Sequence, residues 1–96
     1  MDNTKTFKHV HFIGIGGIGM SAIAEVMLER DFIISGSDLN ESDQVQMLRS
    51  RGATIHIPQK KENITSDIDV VVRSTAIKEN NVEYQAALEL GIPVVH

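Results

Sequence analysis

Ninety-six residues, 42% of them hydrophobic and 23% charged, describe one small globular domain, and a formal charge of −4 speaks against a nucleic-acid partner. No apolar run nears the ~18 residues of a membrane span, and no signal-peptide pattern opens the chain. Without cysteine the chain has no disulfide, thiol chemistry or cysteine metal site, which fits a reducing compartment.

Residues 1–8 are polar and unpatterned and read as a frayed lead-in, leaving 9–96 as the domain. Lys5 with Lys8, and Lys60 with Lys61, are the only local basic groupings and read as solvated surface. His9 to Ile13 predicts a first strand. Gly14-Ile15-Gly16-Gly17-Ile18-Gly19 follows it, and then helical periodicity from Met20 to Arg30. Met20, Ile23, Ala24, Met27 and Leu28 form the stripe expected to pack on a sheet, with Ser21, Glu25 and Glu29 elsewhere on the helix.

Phe32 to Gly36 predicts strand two, behind a tight turn at Asp31, a residue type that tolerates the left-handed conformation. Among the cap candidates from Asn40 to Asp43, Asp43 and Gln46 have capping-box spacing. The short helix beyond them turns Val45 and Leu48 inward and ends at Gly52. Thr54 to Ile57 predicts strand three, stopped by Pro58, and Gln59 to Asp67 a polar connection with one helical turn. Ile68 to Val72 is a β-branched run suited to a strand buried on both faces. Asn80 and Glu83 suggest a second capping box, before a helix with Tyr84, Ala87 and Leu90 apolar and Gly91 as terminator. Ile92 to Val95 predicts strand five, and the end at His96 reads as a fragment of a longer chain. The alternation implies an α/β fold: a Rossmann-like three-layer domain with a five-stranded parallel sheet and right-handed crossovers.

A strand, a G-x-G-x-x-G turn and a helix together make a phosphate site. Gly14 is expected to permit the tight turn, Gly16 to admit phosphates to the backbone, and Gly19 to let the helix approach the sheet. The unpaired N–H groups of the first helical turn face the ligand. Ligands of such sheets lie beyond the carboxyl ends of the strands, where Ser35-Gly36-Ser37-Asp38 and Arg73-Ser74-Thr75-Ala76 converge. Asp38 lies 19 residues past Gly19 and suits ribose hydroxyls or, alternatively, a helix cap. Ser37 divides between ligand and turn, and Ser74 with Thr75 between ligand and an ST-turn. Arg73 either snorkels to solvent or reaches an anionic ligand.

His9 and His11 share a strand face, but no third ligand has matching spacing, so no metal site is expected. His56 reads as a strand residue, and Met20 and Met27 as core filling. No glycine precedes a lysine, and neither a nucleophile elbow nor an acid–base carboxylate pair is present. The stretch reads as a binder with no catalytic residue and no cofactor of its own.

The string His9-Val10-His11-Phe12-Ile13-Gly14-Ile15-Gly16-Gly17-Ile18-Gly19-Met20-Ser21-Ala22-Ile23-Ala24-Glu25 closely resembles the opening of the Mur ligases, within them the members acting on UDP-N-acetylmuramate and L-alanine. Ser35-Gly36-Ser37-Asp38 and Ser74-Thr75-Ala76-Ile77 are similar to that family's next two signatures. The resemblance implies the N-terminal, UDP-sugar-binding domain of a bacterial cytoplasmic enzyme of peptidoglycan synthesis. A central domain would carry ATP and Mg2+, and a third would help bind the amino acid. ATP would activate the lactyl carboxylate as an acyl phosphate, which alanine's amine attacks.

It further implies a substrate-binding set of Gly14, Gly16, Gly17, Ile18, Gly19, Met20, Ser37, Asp38, Ser74, Thr75 and Ala76, with backbone N–H groups around Gly16 to Gly19 on the diphosphate. The chain departs from the family at Thr75, often serine, at Gln59, where many members offer histidine, and at Arg73, commonly apolar. Two other functions fit the glycine turn alone: an NAD-binding half of a dehydrogenase, or a dinucleotide-sensing regulatory module.

Overall fold

The computed structural model describes residues 7–96, so the expectations for residues 1–6, Lys5 among them, fall outside it. Five parallel strands lie in the order β3-β2-β1-β4-β5. They are β1 (His9–Ile13), β2 (Ile33–Ser37), β3 (Thr54–His56), β4 (Val70–Arg73) and β5 (Val94–Val95). The helices are α1 (Ile18–Glu29), α2 (Asp43–Ser50) and α3 (Val82–Glu89), with a 3-10 turn at Lys61–Asn63. The chain is the α/β, Rossmann-like domain expected from the alternation of elements.

Strand alternation sorts the two faces. Val10 and Phe12 of β1, Ile34 of β2 and Val70 of β4 pack with Ile15, Ala24, Val45 and Leu48, beneath α1 and α2. Ile13 and Val71 face the opposite way, onto Ile64, Ile68, Ala86, Ala87 and Ile92, beneath α3. Register pairs His11 with Ser35 and Ile13 with Ser37, so the polar residues of β1 and β2 also lie on the α3 face.

Local chemistry explains most boundaries. Asp31 adopts the left-handed conformation (φ 67°) between α1 and β2, and Gly52 and Gly91 do so just beyond α2 and α3. Helices α2 and α3 are each capped one residue away from the expected capping-box pair, Ser42 lying within the Asn40 to Asp43 candidates. Ser42, not Asp43, caps α2 by accepting from the Val45 N–H, and Asn81, not Asn80, caps α3 by accepting from the Glu83 and Tyr84 N–H groups. Lys8, placed in the lead-in, is tied down: its N–H and that of His9 both donate to the Asp69 carboxylate, at 2.8 and 2.9 Å.

The first helix begins at Ile18, two residues earlier than its apolar stripe suggested. Its inward face carries buried Ser21 and Ala24 with Met20, Met27 and Leu28 packed against the core, while Ile23 is half exposed. Leu90, expected inward on α3, is likewise half exposed, and Ala86 takes the buried position. In both helices the buried apolar positions hold short side chains, while Met20, Met27 and Leu28 of α1 and Tyr84 of α3 pack partly buried against the two cores, as the stripes predicted.

Close packing is also where two glycines exchange roles. A Cβ on Gly19 would meet nothing within 4 Å, so Gly19 is not the residue that lets α1 approach the sheet. At Gly36 a Cβ would stand 2.6 Å from Ile15 Cδ1 and 2.9 Å from the Phe12 carbonyl oxygen. The fully buried Ile15 lies over this strand glycine, fastening the glycine turn to β2. Gly36→Ala is expected to lower stability by about 1–3 kcal/mol through overpacking. Gly19→Ala is expected to leave stability unchanged or raise it by up to about 1 kcal/mol. Urea denaturation of both variants, compared with the parent chain, measures the difference.

Candidate ligand-binding site

The glycine turn leaves β1 through Gly14, at φ 82°. The Gly14 and Ile15 N–H groups both donate to the Ser37 carbonyl, at 2.9 and 3.0 Å, tying the turn to the end of β2. The next N–H, that of Gly16, donates to Asp38 Oδ2 at 2.7 Å. Asp38 Oδ1 accepts from the Leu39 N–H at 2.7 Å, so this carboxylate braces two loops and caps no helix.

That brace corrects the expected part played by Gly16. Its N–H is engaged by Asp38, and an added Cβ would stand 2.7 Å from Asp38 Oδ2, 3.1 Å from Ser42 Oγ and 3.2 Å from Val45 Cγ2. The position is glycine because the loop carrying Asp38 presses against it. The Gly17 N–H donates to the Gly14 carbonyl at 3.2 Å. No side chain caps α1 and its first turn contains no acidic residue. The N–H groups of Ile18, Gly19 and Met20 therefore have no acceptor among the described residues, so the free donors of the turn begin at Ile18 rather than at Gly16.

Two clefts flank the turn. One, of about 400 Å³, lies between Gly14, Gly16 and Gly17 on one side and Asp38, Leu39 and Asn40 on the other, with Gln59, Ser74, Ala76 and Ile77 completing it. The second, of about 370 Å³, is lined by Gly19, Met20, Ile23, Arg73, Thr75 and His96, and shares Gly17 and Ser74 with the first. Neither the Ser74 nor the Thr75 hydroxyl makes a hydrogen bond within the described residues, so the ST-turn alternative is not what is observed. Ile18 points its side chain to solvent and can contribute only its N–H. His56 lines a separate hollow of about 270 Å³, among residues of β1, β2 and β3 and Glu62, Asn63 and Thr65 of the segment beyond β3.

Ser37 is the exception among the expected residues. It is completely buried, and its hydroxyl donates to Glu83 Oε1 at 2.7 Å on the α3 side of the sheet. Glu83, read from sequence as a capping residue, is buried just as fully. Its carboxylate meets His11 Nε2 at 2.8 Å and accepts from Asn63 Nδ2 at 2.7 Å and the Lys60 N–H at 3.0 Å. The seam continues through His11 Nδ1 to Ser35 Oγ (2.8 Å), then to His9 Nε2 (2.7 Å), and from His9 Nδ1 to Asp67 Oδ2 (3.2 Å).

This is a hydrogen-bonded brace, and the described residues contain no cluster of three metal-ligating groups. The shared strand face of His9 and His11 was visible in the sequence. Its acidic partner, 72 positions beyond His11, was not.

Burial by itself would push the Glu83 carboxyl up, but hydrogen bonds from His11, Ser37 and Asn63 outweigh it and hold the group below its ordinary value. A depressed folded-state value stabilises the fold above the unfolded value, near 4.5, and that contribution is lost as pH falls through the folded value.

The matching family model, described as "Mur ligase family, catalytic domain", covers residues 9–96. The fold is that of an α/β domain with an uncapped glycine turn between its first strand and first helix. Over 95 residues the chain is 54% identical to a UDP-N-acetylmuramate–L-alanine ligase of Lachnoclostridium phytofermentans, covering 99% of this chain and 20% of that one. It superposes on the crystal structure of a UDP-N-acetylmuramate–alanine ligase from Thermotoga maritima with a TM-score of 0.84 at 34% identity, over 91% of this chain and 20% of that one. A precorrin-2 dehydrogenase (TM-score 0.63, 13% identity, covering 100% of this chain and 48% of that one) shares the fold alone. The chain belongs to the Mur ligase family, and spans about a fifth of the length of the ligases it matches.

Substitutions at Glu83 and at the glycine turn test the braces. Glu83→Ala strands four donors, those of His11 and Ser37 fully buried, and is expected to cost about 3–5 kcal/mol, enough to threaten folding. Glu83→Gln is expected to flatten the acid limb of the stability–pH curve, measured by urea midpoints from pH 3 to 7. Gly16→Ala is expected to displace the Asp38 carboxylate and weaken ligand binding and stability together, whereas Gly17→Ala, whose Cβ meets only ordinary contacts near 3.6 Å, keeps its stability.

Proposed function

We propose that this chain is the UDP-N-acetylmuramate-binding part of an ATP-dependent ligase that adds L-alanine to that sugar nucleotide during peptidoglycan precursor synthesis in the bacterial cytoplasm. One observation carries the reading: in a chain so similar to ligases of that name, three unpartnered N–H groups at a helix terminus open between two clefts beyond the strand ends. A diphosphate matches those donors in charge and number. The Asp38, Asn40 and Gln59 cleft offers acceptors and amides for a hydroxyl-rich nucleoside, and Ser74 and Thr75 offer hydroxyls near the phosphate path.

In this reading residues 9–96 form the substrate domain, while ATP, Mg2+ and L-alanine are held by later domains of the longer enzyme. No glycine–lysine phosphate loop occurs in this sequence, and no residue here is assigned to ATP or Mg2+. The described residues include no helix long and apolar enough to cross a membrane. This chain's contribution to catalysis is positional: it fixes the UDP-sugar so that the lactyl carboxylate is presented to the domain that activates it.

Backbone amide shifts on titration with UDP-N-acetylmuramate, and separately with NADH, test the reading. Shifts at Ile18 to Met20, Asp38 and Ser74 with the UDP-sugar alone are the expected result. A response to NADH alone overturns it in favour of a dinucleotide domain. Asp38→Ala is expected to weaken UDP-sugar binding by about 1–3 kcal/mol, because the loop loses its brace and the cleft an acceptor.

A further inference from the structure

The two clefts differ in charge. The first contains the Asp38 carboxylate, while the second has no acidic residue and is lined by Arg73. Arg73 ends β4 on the α3 face, with its guanidinium carbon 4.4 Å from the centre of the Tyr84 ring. Its Nε–H donates to His96 Nε2 at 3.2 Å and an Nη1–H to the Ile77 carbonyl at 3.4 Å. Among the described residues it has no carboxylate partner, although Arg49 and Arg51 both do. A guanidinium has five N–H donors, so at least three remain here for another partner.

A solvated arginine needs no such support. Here an aromatic face and a carbonyl hold the group at one wall of a groove, while Met20 and Ile23 supply an apolar surface. In a chain of net charge −4, an arginine held without an acid among the described residues, beside two unbonded hydroxyls, is chemically suited to negative charge.

We propose that Arg73 is a specificity-determining residue that receives an anionic oxygen group of the ligand, on the side of the glycine turn opposite Asp38. This rests on the UDP-sugar reading above and adds an orientation to it. The neutral, hydroxyl-rich end of the ligand lies over Asp38, and the end bearing further negative charge over Arg73. The group received is an oxyanion, and a sugar-side phosphate and a sugar carboxylate share that chemistry.

Calorimetric titration of the parent chain, Arg73→Met and Arg73→Lys with UDP, UDP-N-acetylglucosamine and UDP-N-acetylmuramate tests it. Arg73→Met is expected to bind UDP-N-acetylmuramate roughly ten- to a hundredfold more weakly, with Arg73→Lys recovering part of the loss. A loss confined to UDP-N-acetylmuramate assigns the contact to the carboxylate, and an equal loss on all three assigns it to phosphate. Both support the proposal. Arg73→Met binding all three like the parent chain overturns it.

Because Arg73 also packs on Tyr84, the parent chain provides a second readout: its Arg73 Nε–H resonance is expected to shift when UDP-N-acetylmuramate is added. A resonance that stays in place while backbone amides at the turn respond also overturns the proposal. Failure of the underlying reading looks different, since the parent chain itself would then bind none of the three.

Discussion

A buried carboxylate organises the end of this domain that carries the glycine turn. Glu83 reaches from the first turn of α3 and binds groups from β1, β2 and the loop beyond β3. Leaving such a charge unpaired in an apolar interior would be prohibitive, so its partners are constrained as tightly as it is. Ser37, one of those partners, also presents the carbonyl that holds Gly14 and Ile15. The glycine turn is therefore anchored, through Ser37, to an acid on the α3 side of the sheet. No buried side-chain polar atom among the described residues is left without a hydrogen bond.

The glycines divide their labour differently from what their spacing suggests. Gly14 supplies the positive φ, Gly16 makes room for the Asp38 brace, and Gly36, outside the motif, receives Ile15. Gly19 meets nothing, yet its N–H is among the unpartnered donors. A turn rigidified on both sides, by Ser37 and Asp38, presents its free donors without having to order them when an anion arrives. The two clefts it separates carry different chemistry, acceptors on one side and an unpaired cation on the other, so the turn divides the groove into unlike halves.

Much of this architecture was legible in the residues. Strand and helix periods located every element to within a few positions, because a sheet covered on both faces imposes its alternation directly on the chain. The positions of Gly14, Asp38, Ser74, Thr75 and Ala76 around the turn followed from the rule that ligands sit beyond strand ends. What failed were assignments that depend on which way one side chain turns. Ser37 alternates inward to Glu83, Ile23 and Leu90 slip to helix flanks, and both capping boxes were misplaced by one residue because neighbouring Ser, Asp and Asn residues cap equally well on paper.

By itself the sequence determined the order of the strands and helices, the glycine turn between β1 and α1, and membership in a family whose longer members are ligases, since these reside in local period and contiguous strings. Only the tertiary structure decided that Glu83 closes a polar seam with His11, Ser35 and His9, that Asp38 takes the Gly16 N–H, and that Arg73 stands without an acid at the second cleft. The physical reason is distance along the chain. Those contacts join residues from 22 to 72 positions apart, and a hydrogen bond or an unpaired charge exists only once the sheet has brought its partners together or kept them away.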